Sequence, residues 1–136
     1  MDRIRILLAD DHPAALEVFA RMLSADFEVV GTAEDGEAAV RSALSLVPEV
    51  VVLDVEMPGL DGFAVARRLA AAASPAKIVF LTAYADPDYL DTALRVGASA
   101  YVLKAHAAED LVRAVRLALE GRQFISAGAG AGKRHA

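Results

Sequence analysis

Val50-Val51-Val52-Leu53 runs without alternation into a single aspartate, Asp54. So short and continuous an apolar run reads as a strand buried on both faces, as in a parallel sheet. The stiff branched side chains of valine favour the same state. Pro58-Gly59 follows within five residues and bends the chain. Asp54 therefore stands at the carboxyl end of a buried strand, the edge on which open α/β sheets carry their chemistry. Alone, such a carboxylate could also merely cap a loop, so the other strand ends decide.

The remaining chain alternates strands with helices. Ile4 to Ala9 is a first buried strand, ending on Asp10-Asp11-His12-Pro13. Proline suits a first helical turn with an acidic cap ahead of it, and Leu16, Phe19, Ala20 and Leu23 recur at helical spacing up to Ser24. Phe27 to Ala33 is a second strand, and Asp35 is placed to cap a helix from Gly36 to Leu46. Val47-Pro48 stops that helix, because the residue before proline is pushed out of the helical region. Asp61-Gly62 opens a helix after the central strand. Lys77 to Thr82 is a fourth strand, and Asp86-Pro87 opens a helix closed by Gly97. Ala100 to Leu103 is a fifth strand ending on Lys104, and the last helix runs from Glu109 to Glu120. Within it, Glu109–Arg113 and Arg116–Glu120 are spaced as ion pairs. Five strands alternating with five helices imply right-handed βαβ crossovers and a doubly wound α/β sheet. The flavodoxin-like order 2-1-3-4-5 is the expected one. The domain is expected to span residues 1–121. Residues 122–136 are expected to be a flexible tail or linker, in which Phe124-Ile125 could pack near the last helix, the run Ala127 to Gly132 is low in complexity and flexible, and Lys133-Arg134-His135 is a small basic end.

Bulk properties exclude several classes. The 136 residues suffice for one domain with a core, and 56% are hydrophobic against 24% charged. There is no cysteine, so thiolate metal sites and disulfides are out. No window approaches the roughly 18–20 apolar residues of a membrane span. No signal peptide is expected, and a cytoplasmic location fits. A net charge of -5 argues against a nucleic-acid surface in this segment.

In that strand order the carboxyl ends of strands one, three, four and five are neighbours. They bring together Asp10, Asp11, Asp54, Thr82 and Lys104. Three clustered carboxylates repel, and without compensation one takes up a proton. A hard divalent cation with oxygen ligands and waters, Mg²⁺, is the natural compensation. A metal beside a free carboxylate, a hydroxyl and a lysine suits phosphoryl chemistry. The cation and Lys104 can neutralise phosphoryl oxygens, Thr82 can donate to another, and the carboxylate can be the nucleophile that becomes an aspartyl-phosphate. Singly, Asp11 could cap the first helix, Thr82 could be a β-branched strand end, and Lys104 could be a solvated lysine. It is the set that points to a site. The three histidines lie apart and read as helix-start packing or surface residues.

Asp10-Asp11-His12-Pro13, Leu53-Asp54-Val55-Glu56-Met57-Pro58-Gly59-Leu60-Asp61-Gly62, Leu81-Thr82-Ala83 and Gly97-Ala98-Ser99-Ala100-Tyr101-Val102-Leu103-Lys104 together resemble a response-regulator receiver domain. This is the CheY-like family of two-component signalling, and the resemblance covers about residues 3 to 121. The first and last of these motifs are most similar to receivers of the NarL/FixJ type, which commonly precede a helix-turn-helix DNA-binding domain. The resemblance implies a phosphorylation-dependent switch and not an enzyme with an external substrate. It implies that Asp54 accepts a phosphoryl group from a sensor histidine kinase. Asp10, Asp11, Asp54 and the main-chain carbonyl of Glu56 would hold Mg²⁺, and Thr82 and Lys104 would contact the phosphoryl group. Tyr101 matches the switch aromatic that turns inward when Thr82 moves; without the resemblance it reads as an ordinary strand aromatic. A phosphorylation-linked homodimer and an output in transcription are also implied.

Some positions depart from the family pattern. Ala105 stands where proline often follows the lysine, at a bond the family is known to hold cis; a cis bond to a non-proline costs about 2.5–4 kcal/mol. Ala107 replaces a frequent capping serine. The principal rival is a small Mg²⁺-dependent phosphohydrolase with an aspartate nucleophile, of the haloacid-dehalogenase sort. Such enzymes place the nucleophile after the first strand with a second aspartate two residues on, where this chain reads Asp10-Asp11-His12. A flavin-binding module is disfavoured because Asp10 and Asp11 would repel its phosphate.

Overall fold

In the computed structural model, residues 3–131 are described, and all statements below concern them. The chain runs β1 (Arg5–Ala9), α1 (Pro13–Ser24), β2 (Glu28–Ala33), α2 (Gly36–Leu46), β3 (Val50–Leu53), α3 (Gly62–Ala71), β4 (Lys77–Thr82), α4 (Pro87–Arg95), β5 (Ala100–Leu103), α5 (Ala107–Leu119) and β6 (Phe124–Ile125). The sheet is parallel throughout, in the order β2-β1-β3-β4-β5-β6. The doubly wound 2-1-3-4-5 arrangement is thus present, with one strand more than expected.

Alternation along the strands divides the core in two. Leu7, Val51, Leu53, Phe80 and Tyr101 face α2 and α3, while Ile6, Leu8, Val52, Leu81 and Val102 face α1 and α5. All four residues of β3 are fully buried, as its unbroken apolar run requires. Helix faces follow the same logic: Leu16, Phe19 and Leu23 of α1 and Leu111, Val115 and Ala118 of α5 are buried on one side of the sheet, and Phe63, Ala66 and Leu69 of α3 on the other.

Caps behave in part as the sequence suggests. The Asp35 carboxylate accepts from Ala38 N–H at 2.8 Å, and Asp61 accepts from Ala64 N–H at 2.8 Å. Gly97, at φ +93°, takes the left-handed turn after α4. At α1 the cap position belongs to His12, whose side chain makes no capping bond, so Asp11 does not cap this helix. Val47 ends α2 in the left-handed region, at φ 48° and ψ 61°, and not in the extended one expected before proline. There the Arg5 guanidinium binds the carbonyls of Leu46 and Val47, at 2.7 and 3.0 Å, and satisfies the helix end.

Three further differences lie near α5. The Lys104–Ala105 bond is trans, and Lys104–His106 forms a single 3₁₀ turn that leads into a helix beginning at Ala107, two residues earlier than expected. Ala107 is buried in the α1/α5 core, so it contributes packing where a cap was looked for. The predicted ion pairs within α5 give way to longer-range contacts. Arg116 reaches Asp26 at 2.7 Å and stacks over Phe27, and Arg113 lies over Phe124. An aromatic face or a partner held by the fold competes well with an exposed helical pair worth a few tenths of a kcal/mol.

Gly121 closes α5 at φ +76°, but the ordered chain continues. Phe124 packs near α5 as expected, under Arg113, and Phe124 and Ile125 also pair with Ala100 and Tyr101 of β5, a strand that was not expected. The basic end, Lys133-Arg134-His135, lies outside the described residues.

Candidate functional site

Parallel pairing sets the carboxylates in place. The ladder extends one residue past each strand, with Asp10 N–H donating to the Ala33 carbonyl at 3.0 Å and Asp54 N–H to the Ala9 carbonyl at 2.9 Å. Asp10 and Asp54 therefore emerge side by side from β1 and β3, only 1% and 4% exposed. These are the strands at which the order reverses, where open sheets of this kind bind ligands. Two glycines let the surrounding turns close. A Cβ on Gly62 would fall 2.2 Å from the Asp54 carbonyl oxygen, and one on Gly36 would fall 2.1 Å from that of Leu60.

Lys104, from the end of β5, bridges the two buried carboxylates. Its Nζ is 2.7 Å from Asp10 Oδ2 and 2.9 Å from Asp54 Oδ2. Burial works against the ammonium charge, yet its hydrogen bonds to Asp10 and Asp54 outweigh burial and hold its pKa above the ordinary lysine range. Burial raises the Asp54 pKa, with the Asp10 charge adding to it and Lys104 opposing it.

Ligand oxygens of Asp10, Asp11 and Asp54, with a nitrogen of His12, lie within 4.8 Å of one another. Asp11 Oδ1 is buried and receives no hydrogen bond. His12 Nδ1 lies 3.0 Å from it and 3.2 Å from Asp10 Oδ1, while the His12 N–H donates to Asp10 Oδ1 at 2.9 Å. An orphaned carboxylate oxygen beside two further buried carboxylates is the donor set a hard cation takes. His12 is a surface residue, as expected, but it leans on the acidic group and does not stand apart from it. His106 is exposed in the turn before α5.

Thr82 is fully buried at the end of β4, and its Oγ1 accepts from Tyr84 N–H at 3.3 Å. Tyr101 is fully buried in β5 and its hydroxyl donates to the Tyr84 carbonyl. The side chain of Glu56 is exposed in the loop after β3 and accepts from the Tyr89 hydroxyl at 3.0 Å, tying that loop to α4. Tyr89 also makes edge contact with Phe63 and lies against Tyr84. Neither this bond nor the packing of Tyr84 and Tyr89 was signalled by spacing, since the partners lie in two loops and a helix.

Burial, with the Asp86 charge adding to it, pushes the Tyr101 phenol well above its usual value of 10. The unfolded chain then loses this proton first as pH rises. Above about pH 10 this tyrosine is expected to lower stability by up to about 1.4 kcal/mol per pH unit. Denaturant titrations across pH 9 to 11 are expected to show that slope in the wild type and a shallower one in Tyr101→Phe.

Residues 6–116 match the family model described as response regulator receiver domain. The chain belongs to that family. It is 38% identical over 120 residues to the transcriptional regulatory protein LiaR of Bacillus subtilis, covering 87% of this chain and 57% of that protein. It is 34% identical over 125 residues to the response regulator GacA of Pseudomonas viridiflava, covering 90% of this chain and 58% of that one. The chain thus spans less than two thirds of the length of these curated relatives. Among solved structures, the signal receiver domain of the putative response regulator NarL from Mycobacterium tuberculosis superimposes with a TM-score of 0.86 at 34% identity, over 90% of this chain and 100% of that one. A LuxR-family two-component response regulator from Aurantimonas sp. SI85-9A1 gives 0.90 at 30% identity, over 96% of this chain and 94% of that one. RcsB, in a structure of two dimers bound to two DNAs, gives 0.87 at 27% identity, over 96% of this chain and 66% of that one. The fold and family inferred from the motifs are therefore those of a NarL/LuxR-type receiver. Among the described residues no helix is long and apolar enough to cross a membrane.

Proposed function

We propose that this receiver takes a phosphoryl group on Asp54 from a sensor histidine kinase and passes the change to a transcriptional output. The observation that carries the reading is the Lys104 bridge between two buried carboxylates. Lys104 holds Asp54 Oδ2 and is the cation nearest the oxygen that would attack. A carboxylate oxygen of Asp54 forms the new O–P bond as the donor's bond to phosphorus breaks and the donor leaves with its electron pair.

Asp10, Asp11, Asp54 and the Glu56 main-chain carbonyl would hold Mg²⁺. That ion supplies charge neutralisation at the phosphoryl oxygens. The Asp11 oxygen without a hydrogen bond and the three clustered carboxylates support this assignment. Thr82 Oγ1 accepts from Tyr84 N–H and so keeps its own proton to donate to the phosphoryl group, and Lys104 pairs with that group's charge of roughly -1.5 to -2. Tyr101 is the switch aromatic tied to this arrangement, because its hydroxyl is bonded to the same loop. Loading then biases a two-state equilibrium of the domain.

The name of LiaR, a transcriptional regulatory protein, supports an output in transcription. A DNA-binding domain beyond this segment, in the cytoplasm, would deliver it. The dimers in the RcsB structure support a homodimer, whose formation on phosphorylation is part of this reading. Acetyl phosphate with Mg²⁺ is expected to label the wild type, and labelling should vanish in Asp54→Asn and on chelation of the metal. Equal labelling of wild type and variant, or steady turnover of small phosphate esters, overturns the reading.

A further inference from the structure

The segment after α5 does more than extend the sheet. Ser126 is buried, at 2% exposure, and its N–H donates to the Tyr101 carbonyl at 2.9 Å. Its hydroxyl accepts from Leu103 N–H at 3.1 Å and donates to the Asp110 carboxylate at 2.7 Å. The chain then folds back across the sheet edge, Ala129 packs on the α2/α3 core, and Gly130 N–H donates to the Ala85 carbonyl at 2.6 Å. Gly130 does this at φ +81°, with Leu90 so close that a Cβ would fall 2.9 Å from it.

Two consecutive carbonyls of the loop between β4 and α4 are thus held by donors from two other segments. The Tyr101 hydroxyl holds Tyr84, and Gly130 N–H holds Ala85. The Tyr84 N–H in turn engages Thr82, and the Leu103 N–H held by Ser126 adjoins Lys104. Contacts therefore run from Thr82 through Tyr84, Ala85, Gly130 and Ser126 to Leu103 and Lys104. The two ends of that chain are the hydroxyl and the amine of the site.

We propose that residues 126–130 form a positioning strap for Thr82 and Lys104, so that strap docking and loading of Asp54 favour one another. The proposal rests on Asp54 being the phospho-acceptor. A docked strap removes alternative arrangements of the loop before the ligand arrives, and that freedom need not be lost on binding. Coupling between two binding events is reciprocal, so loading must tighten the strap by the factor by which the strap tightens loading.

The test uses the full chain with Mg²⁺ and beryllofluoride as the probe, in wild type, Gly130→Pro and Ser126→Ala. Proline lacks the N–H and cannot take a positive φ, so Gly130→Pro frees the far end of the strap while leaving β6 intact. Far-UV circular dichroism confirms folding, and calorimetric titration gives the affinity. Beryllofluoride binding is expected to weaken about three- to tenfold in each variant, the size of one or so net hydrogen bonds. In the wild type, the Gly130 and Leu103 amides are expected to exchange more slowly when the probe is bound. A merely structural strap would lower the melting temperature but leave the affinity of the folded protein as it was. Affinity in folded Gly130→Pro equal to or tighter than wild type, with amide exchange unmoved by the probe, overturns the proposal. Failure of the wild type itself to bind the probe defeats the Asp54 reading, and the strap proposal with it.

Discussion

Lys104→Met is expected to cost the metal-free protein about 3 kcal/mol, because removing one partner of a buried ion pair leaves uncompensated charge. Here the charge left behind is double: Asp10 and Asp54 lie nearly out of solvent, and both depend on the same ammonium. The loss should depend on pH in a defined sense. Asp54 already has a raised pKa, through burial and the neighbouring Asp10. Without Lys104 it accepts a proton more readily still, and the neutral acid needs no partner. The difference between wild type and variant should therefore shrink as pH falls and be complete at neutral pH. It should shrink again above the ordinary lysine pKa of 10.5, as the raised pKa of Lys104 is approached and the wild type loses its own ammonium. Urea denaturation in chelator at several pH values measures this directly. Saturating Mg²⁺ is expected to return about 2.7 kcal/mol at a hundred times its dissociation constant. A variant as stable as wild type at pH 7 would mean that Lys104 is not the compensating charge.

Gly62→Ala is the second change with a large expected effect. Its Cβ would meet the Asp54 carbonyl oxygen at 2.2 Å, the Val55 Cα at 3.0 Å and the Asp54 carbonyl carbon at 3.1 Å. All three are backbone atoms, so no side-chain rotation relieves the clash. Gly62 N–H is also bonded to the Val55 carbonyl at 2.7 Å, which fixes the start of α3 against this turn. Overpacking of this kind costs about 1–3 kcal/mol, and a rigid neighbour places this case at the upper end. The function should suffer more than the fold. The atoms that must move belong to Asp54, and a displacement of about 1 Å at a reacting group costs on the order of a hundredfold in rate. Acetyl phosphate labelling of folded Gly62→Ala is expected to fall by that order, while Gly59→Ala, whose Cβ meets nothing within 4 Å, should keep the site and lose only the ease of its positive φ. Equal labelling rates in the two variants would separate Gly62 from the placement of Asp54.

What could be read in the sequence was local or periodic. Val50 to Leu53 carries its burial in its own composition. Asp35 and Asp61 announce their helices because a cap bonds three residues ahead. Asp10, Asp54, Thr82 and Lys104 could be gathered because parallel strands deliver their carboxyl ends to one edge. What could not be read depended on partners far along the chain. Arg116 and Asp26 stand 90 residues apart, so nothing in the spacing of α5 distinguishes that pair from Arg116–Glu120. The residues after Ile125 misled for a different reason. An Ala-Gly run has no side chain larger than a methyl to betray packing, and Gly130 acts through its backbone N–H alone. Ser126 gives the one signal that could have been taken up, a small polar residue just after the apolar pair Phe124-Ile125. Val47 was misplaced because the rule for residues before proline knows nothing of Arg5, which binds the carbonyls exposed by the left-handed turn.

The central claim is that Asp54, and no neighbouring carboxylate, carries the phosphoryl group. Borohydride reduction after incubation with acetyl phosphate and Mg²⁺ converts an aspartyl-phosphate to homoserine, which peptide mass spectrometry locates. The expected result is homoserine at position 54 alone, dependent on Mg²⁺ and absent from untreated protein. Reduction at Asp10, Asp11 or Glu56, or at no position in a folded sample, would contradict it.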